Sequence, residues 1–160
     1  KQVCMAYVKD FKIEESKNLL MTGSFGVGKS HLAVAIIREL MKKNHSCIFT
    51  SVPKLLTKIR ASFDKSTGYT EDQLLGALEN VDVLVLDDLG AEKESDWTTE
   101  KIFEVIDARG GKHTITTTNL SSVDLADKIG KRNFSRLILD TEIIKLEGED
   151  MREKTFKKGT

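Results

Sequence analysis

The sequence predicts an α/β fold in which five parallel strands form a sheet with helices on both faces. Three observations carry that expectation. Short apolar or β-branched runs alternate with segments of helical period, a GxxxxGK[ST] pattern falls at a strand-to-helix junction, and the third run ends in paired carboxylates. The strand runs are residues 18–22, 46–51, 81–87, 113–118 and 143–147. Between them, segments 31–43, 52–63 and 97–109 place apolar side chains on one helical face: Leu32, Ala35, Ile36 and Leu40, then Leu55, Leu56, Ile59 and Phe63, then Ile102, Val105 and Ile106. A parallel crossover usually takes a helix, so the alternation implies right-handed connections across a covered sheet. Gly110 and Gly111 stop the helix before the fourth strand, and Ser121, with Asp124 three residues on, opens a short helix after it.

A chain of 160 residues is enough for one domain with a hydrophobic core and too short for two of ordinary size, so residues 1–160 are expected to form a single unit. A hydrophobic content of 39% and a charged content of 31% exclude a disordered chain. With 25 basic and 25 acidic side chains the net charge is zero, which excludes a global positive field; any contact with nucleic acid has to be local. Cys4 and Cys47 stand apart without metal-ligand spacing, as in a reduced cytosolic chain. No apolar run approaches the ~20 residues that span a bilayer, and the charged start KQVCMAYVKDFK is unlike a signal peptide, so a cytoplasmic location without a membrane partner is expected. The first residue is Lys1 rather than Met, from which the expectation is a C-terminal part of a longer protein.

Gly23, Ser24, Phe25, Gly26, Val27, Gly28, Lys29 and Ser30 satisfy GxxxxGK[ST] at every fixed position, directly after one expected strand and before one expected helix. The order has a chemical reason. Glycines let backbone N–H groups curl round phosphates, the helix N-terminus adds a favourable dipole, Lys29 reaches the β- and γ-phosphates, and Ser30 ligates magnesium. The expected ligands are ATP or ADP with Mg2+, and His31, next in sequence, is counted with the loop. The third strand ends in Asp87 and Asp88. Asp87 is the expected Mg2+ ligand beside Ser30, at the carboxyl edge of the sheet. Asp88 stands where many such ATPases carry a glutamate that orients the attacking water; it is one methylene shorter, and the alternative is a turn cap or a cation's partner. Asn119, after Thr117 and Thr118, is a candidate for holding that water, or else a favoured turn residue. The paired aspartates, this Asn and the lack of an arginine-rich lid argue against a small-molecule kinase.

The stretches GSFGVGKSHLA, VDVLVLDDLGAEKESDW, TITTTNL, RNFSRL and LEGEDMR, spread over nearly the whole chain, resemble the AAA+ domain of bacterial helicase loaders of the DnaC/DnaI type. GKSHLA and LDDLGAE are shared with transposition helper ATPases of the IstB type. The resemblance implies a P-loop NTPase core with a five-stranded sheet of order 5-1-4-3-2 and a missing or reduced helical lid, with which the short tail agrees. It also implies self-assembly, with ATP between subunits and an arginine of one reaching the γ-phosphate of the next. Arg136 matches that position best and Arg132 competes, a surface ion pair or DNA contact being the alternative for either. Arg152 matches a second, nucleotide-sensing arginine, or is a solvated charge. The implied partners are a replicative hexameric DNA helicase, bound through an N-terminal region outside this chain, and single-stranded DNA.

DNA is implied to contact the segments flanking the third strand, where Phe63, Ser95 and Trp97 match, with Lys54, Lys58 and Arg60 near. An aromatic side chain stacks on any base at ~1–3 kcal/mol, so binding without sequence preference is physically reasonable. The alternative packs Phe63 and Trp97 into the core and leaves the lysines solvated, with Lys154, Lys157 and Lys158 in a frayed tail. The function expected is that of an ATPase that passes a helicase onto single-stranded DNA and lets go on hydrolysis. Its alternatives are a transposition helper and a nucleotide switch with little turnover, the latter because Asp88 replaces glutamate.

Overall fold

The computed structural model describes residues 2–12, 15 and 17–151. Expectations for the Cys4 side chain, Arg152, Lys154, Lys157 and Lys158 lie outside the described residues. The chain runs α1 (Gln2–Asp10), β1 (Asn18–Thr22), α2 (Lys29–Lys42), β2 (Cys47–Ser51), α3 (Val52–Ala61), a 3-10 turn (Lys65–Thr67), α4 (Glu71–Asn80), β3 (Val83–Asp87), α5 (Asp96–Ala108), β4 (His113–Thr118), α6 (Ser122–Ile129), α7 (Lys131–Leu137) and β5 (Thr141–Lys145). The strands pair in parallel in the order β2-β3-β4-β1-β5. Read from the other edge, this is the expected 5-1-4-3-2.

Successive side chains of a strand point to opposite faces, and here that alternation builds two cores. Leu19, Met21, Val83, Val85 and Ile115 meet Ala33, Ile36 and Leu40 of α2 on one face. Leu20, Leu84 and Leu86 meet Leu55 and Ile59 of α3, Ile102 and Val105 of α5, and Leu125 of α6 on the other. Each fully buried Leu or Ile contributes about 1.5–3 kcal/mol. β3 and β4 are buried along their whole length, whereas the edge strands β2 and β5 stay half-exposed.

Three helices and the extents of three strands depart from the sequence expectation: β2, β3 and β5 begin at Cys47, Val83 and Thr141 rather than at 46, 81 and 143, and β5 ends at Lys145 rather than at 147. α4 was not expected, although Thr70 and Gln73 form a reciprocal capping box at its start. α1 is held from a distance: Phe11, which follows it, is buried edge-on to His45 and His113, with ring centroids 5.0 and 4.8 Å apart. α7 carries few apolar residues and is tied down by the Asn133 amide, which donates to the Thr99 and Ile129 carbonyls at 3.0 and 2.8 Å. β5 begins at Thr141 rather than at 143, because its register against β1 starts with Asn18 opposite Thr141. Among the described residues no helix is long and apolar enough to cross a membrane.

At the amino end of the sheet, Arg109 at the end of α5 is only 4% exposed. Its Nη1 donates to the carbonyls of Leu78, Glu79 and Val81 at 3.0, 3.1 and 2.6 Å, and its Nη2 to those of Asp82 and His113. One planar cation thus ties the C-terminus of α4 to the starts of β3 and β4, geometry that a lysine does not reproduce. Burial pulls its pKa down to about 10, opposed by Asp82 and Glu79, which still leaves it charged near neutrality. Arg109→Ala strands several buried acceptors and is expected to cost about 3–5 kcal/mol in urea unfolding, with Arg109→Lys recovering less than half. A loss below about 1 kcal/mol in Arg109→Ala would contradict this role.

Candidate functional site

Parallel pairing sends every strand out at the same edge, and the site is built there. Thr22 lies opposite Thr118 on one side and Lys145 on the other. The loop that follows β1 therefore starts between Asn119 and Leu146. Residues 23–28 form this loop and α2 opens at Lys29, with Gly28 at its N-cap in a left-handed conformation (φ 95) that disfavours a side chain. The N-cap of α2 is a glycine and brings no capping side chain of its own, and the positive end of the helix dipole faces the loop, as in anion sites at helix N-termini. Lys29 is 5% exposed, and its Nζ donates to the carbonyls of Gly23 and Ser24 at 2.8 and 2.7 Å and to Asn119 Oδ1 at 2.6 Å. Ser30 is half-buried in the first turn, His31 is exposed beside it, and Phe25 is exposed at the loop tip while Val27 is half-buried.

The carboxylates of β3 are set by β4. Thr117 Oγ1 donates to Asp87 Oδ1 at 2.6 Å and accepts the Asp88 N–H at 3.0 Å, so one buried hydroxyl fixes both residues. Asp87 is buried, and Asp88 sits half-buried at φ 56, a left-handed conformation that Asp tolerates better than most residues. Beyond it, Leu89 exchanges bonds with β4, its N–H to the Thr117 carbonyl at 2.9 Å and its carbonyl from Thr118 Oγ1 at 2.7 Å. Glu92 closes the turn by accepting the Gly90 N–H at 2.9 Å. Glu92 as a whole is 6% exposed, and burial raises its pKa against the opposing pull of nearby N–H groups and Lys128. Sequence reading did not single out Thr117 or Glu92. The available signal for Thr117 was a threonine-rich strand in the middle of a sheet, whose buried hydroxyls all need partners.

The remaining expected residues fall into separate places. Arg136 lies at the far, amino end of the sheet, lining a cavity of about 400 Å³ with Asn18, His113 and Thr141, which begin β1, β4 and β5. It pairs with Asp107 and stands 4.9 Å from the centre of the Phe103 ring, over which Arg132 also lies at 4.3 Å. Ser95 and Trp97 line a second cavity of about 460 Å³ with Arg60, Glu92 and Lys93. There the Arg60 guanidinium sits 4.6 Å above the half-buried Trp97 ring, whose other contacts join it to the core. Ser95 caps α5 by accepting the Thr98 N–H at 3.1 Å. Phe63 is 59% exposed and does not line that cavity, and Lys54 and Lys58 are exposed.

Residues 4–159 match the family described as IstB-like ATP binding protein. The replicative helicase loader DnaC of Escherichia coli K12 is 30% identical over 139 residues, which cover 86% of this chain and 56% of that protein. The chain thus spans little more than half the length of the curated relatives it matches. A putative ATP-binding protein of insertion sequence IS1162 from Pseudomonas fluorescens is 38% identical over 112 residues, 69% of this chain and 47% of that one. A crystal structure of the DnaC helicase loader superposes with a TM-score of 0.82 at 34% identity, covering 91% of this chain and 87% of the other.

Two measurements test the carboxylate edge. Thr117→Val keeps the shape but leaves Asp87 and the Asp88 N–H without the hydroxyl, and is expected to cost about 1–3 kcal/mol in thermal unfolding, most of it restored by Thr117→Ser. Glu92 binds its proton more tightly folded than unfolded, so its charged form costs stability, and this cost sets in as pH rises from the ordinary 4.5 through the raised value. Glu92→Gln keeps an acceptor for Gly90 and should flatten the fall of stability that begins as pH rises above about 4.5. An unchanged slope would show that another group carries it.

Proposed function

The chain belongs to the IstB-like ATP-binding protein family, and from that premise we propose that it is the ATPase domain of a helicase loader. In this reading it binds MgATP at residues 23–30, hydrolyses it, and delivers a replicative helicase to single-stranded DNA. The observation that carries the nucleotide chemistry is the meeting of Lys29 and Asn119 at 2.6 Å, on the edge where Asp87 and Asp88 also leave the sheet. The likeness to DnaC helicase loaders in sequence and in fold supports the rest.

The roles follow from position. Lys29 faces phosphate oxygens, exchanging the carbonyls of Gly23 and Ser24 for them. Ser30 and Asp87 supply the hard hydroxyl and carboxylate oxygens that suit Mg2+, an ion that keeps water and phosphate oxygens in its shell and neutralises charge on the phosphates when bound. Asp88 and Asn119 orient the attacking water, and Asp88 takes its proton. Its left-handed backbone costs on the order of 1 kcal/mol and is held in place by Thr117. Arg136 stands roughly 15–20 Å from its own phosphate loop, the length of a strand, which suits an arginine that acts in the site of a neighbouring subunit. Arg152 reads the bound nucleotide. Trp97, with Arg60 stacked on it, and the exposed Phe63 offer planar surfaces to bases of single-stranded DNA.

A second reading, a transposition helper, has its own support in the 38% identity to the insertion-sequence protein. Pull-down of a purified hexameric helicase and of a transposase by the full-length protein separates the two, the first reading requiring capture of the helicase. ATP binding is tested with a fluorescent ATP analogue: Lys29→Ala should reduce affinity by about a hundredfold or more, as expected when a buried ammonium–phosphate contact is lost. Arg136→Ala should leave that affinity within about threefold of wild type and lower turnover at least tenfold, since a trans-acting arginine contributes about 10³–10⁵ to phosphoryl transfer. Undiminished turnover in Arg136→Ala would transfer that role to another residue.

A further inference from the structure

The phosphate loop has a neighbour from the far end of the chain. β5 finishes at Lys145 beside Thr22, and its direction carries the following residues along the loop. The Leu146 N–H donates to the Thr22 carbonyl at 2.7 Å, and the Met151 N–H donates to the Gly26 carbonyl at 3.1 Å. Between these two bonds Asp150 lays its carboxylate against Gly26, so closely that a Cβ on Gly26 would fall on it. Gly26 is thus required both by its left-handed backbone (φ 74) and by this contact. A loop whose backbone N–H groups, helix dipole and lysine attract anions also attracts this carboxylate, which then occupies the same field with the same sign of charge as a phosphate ligand.

We propose that Asp150 is a built-in anionic competitor that lowers the affinity of the loop for nucleotide phosphates, and that displacement of residues 146–151 from Gly26 relieves it. The inference rests on the ATP-binding reading above and adds its regulation. At an effective dielectric near 20, two like unit charges roughly 8 Å apart repel enough to weaken binding by on the order of thirtyfold, and screening by salt brings this down toward a few-fold. Because the cause is charge, the penalty grows with ligand charge, from nothing for adenosine through ADP to ATP. A strap that merely blocked the site would penalise all three alike.

The test measures dissociation constants of fluorescent adenosine, ADP and ATP analogues with Mg2+ for the whole chain, for Asp150→Asn and for Asp150→Ala, at low and at physiological salt. Circular dichroism checks that each variant is folded, and Asp150→Asn preserves the size of the side chain where Asp150→Ala does not. Both variants are expected to bind ATP about three- to tenfold more tightly, ADP by a smaller factor and adenosine unchanged, with the gain shrinking at higher salt. If the wild type binds ATP and the variants bind it equally or more weakly, or gain as much for adenosine, the competitor role is overturned and the ATP-binding reading stands. If none of the three proteins binds ATP, both are overturned.

Discussion

Thr22 is the residue on which the site turns. It ends β1 with Thr118 of β4 on one side and Lys145 of β5 on the other. Three continuations of the chain therefore leave the sheet side by side: Gly23 into the phosphate loop, Asn119 toward α6, and Leu146 along the loop's flank. Parallel pairing makes this possible, because only when all strands run the same way do all their exits share one edge. Register makes it specific. A slip of one residue would turn Leu20 into the layer occupied by Leu19 and Met21, and would carry Asn119 out of reach of the Lys29 ammonium. The apolar cores that fix the register thus also fix the chemistry.

Two polar fasteners at opposite ends of the sheet hold what hydrophobic packing does not specify. At the amino end the Arg109 guanidinium gathers carbonyls from α4, from the two residues that lead into β3, and from β4. At the carboxyl end the Thr117 hydroxyl joins β4 to Asp87 and to the backbone of Asp88. Both are buried and both are directional, which is how hydrogen bonds differ from burial of area: they select one arrangement among many of similar packing. In the proposed mechanism the second fastener would also bear on catalysis, since the carboxylate it restrains and the left-handed Asp88 beside it are those assigned there to metal and water. Beyond Asp88, Leu89 is bonded to β4, and Ala91 and Glu92 border the cavity that Trp97 and Arg60 also line.

The two arginines of α7 illustrate how position within a fold separates roles that composition leaves equal. Arg132 and Arg136 share the Phe103 ring, one turn apart on the same helix, but only Arg136 pairs with Asp107 and borders the cavity at the amino ends of the strands. An oligomer that sets this end of one subunit against the phosphate loop of the next would bring Arg136 to a nucleotide that its own subunit does not hold. The Asp107 carboxylate would then compete with phosphate for the same guanidinium, and a long, partly exposed side chain makes that exchange inexpensive.

The sequence by itself determined the five strands, their parallel arrangement, the phosphate loop and the place of Asp87, because each is written in local signals. Alternation of apolar residues, the glycines before Lys29 and Ser30, and a carboxylate at the end of an apolar run are readable over a few residues. It also carries, in Thr70 and Gln73, the reciprocal cap that starts α4. What only the tertiary structure decided lies between segments distant in sequence. No local pattern tells that Arg109 reaches the end of α4, that Thr117 grips Asp87 across 30 positions, that Trp97 half-packs under Arg60 while Phe63 stays in solvent, or that Asp150 lies on Gly26. Such contacts depend on strand order and register, which arise from the summed packing of the whole sheet, and a hydroxyl or guanidinium acquires its meaning only after that packing has chosen its neighbours.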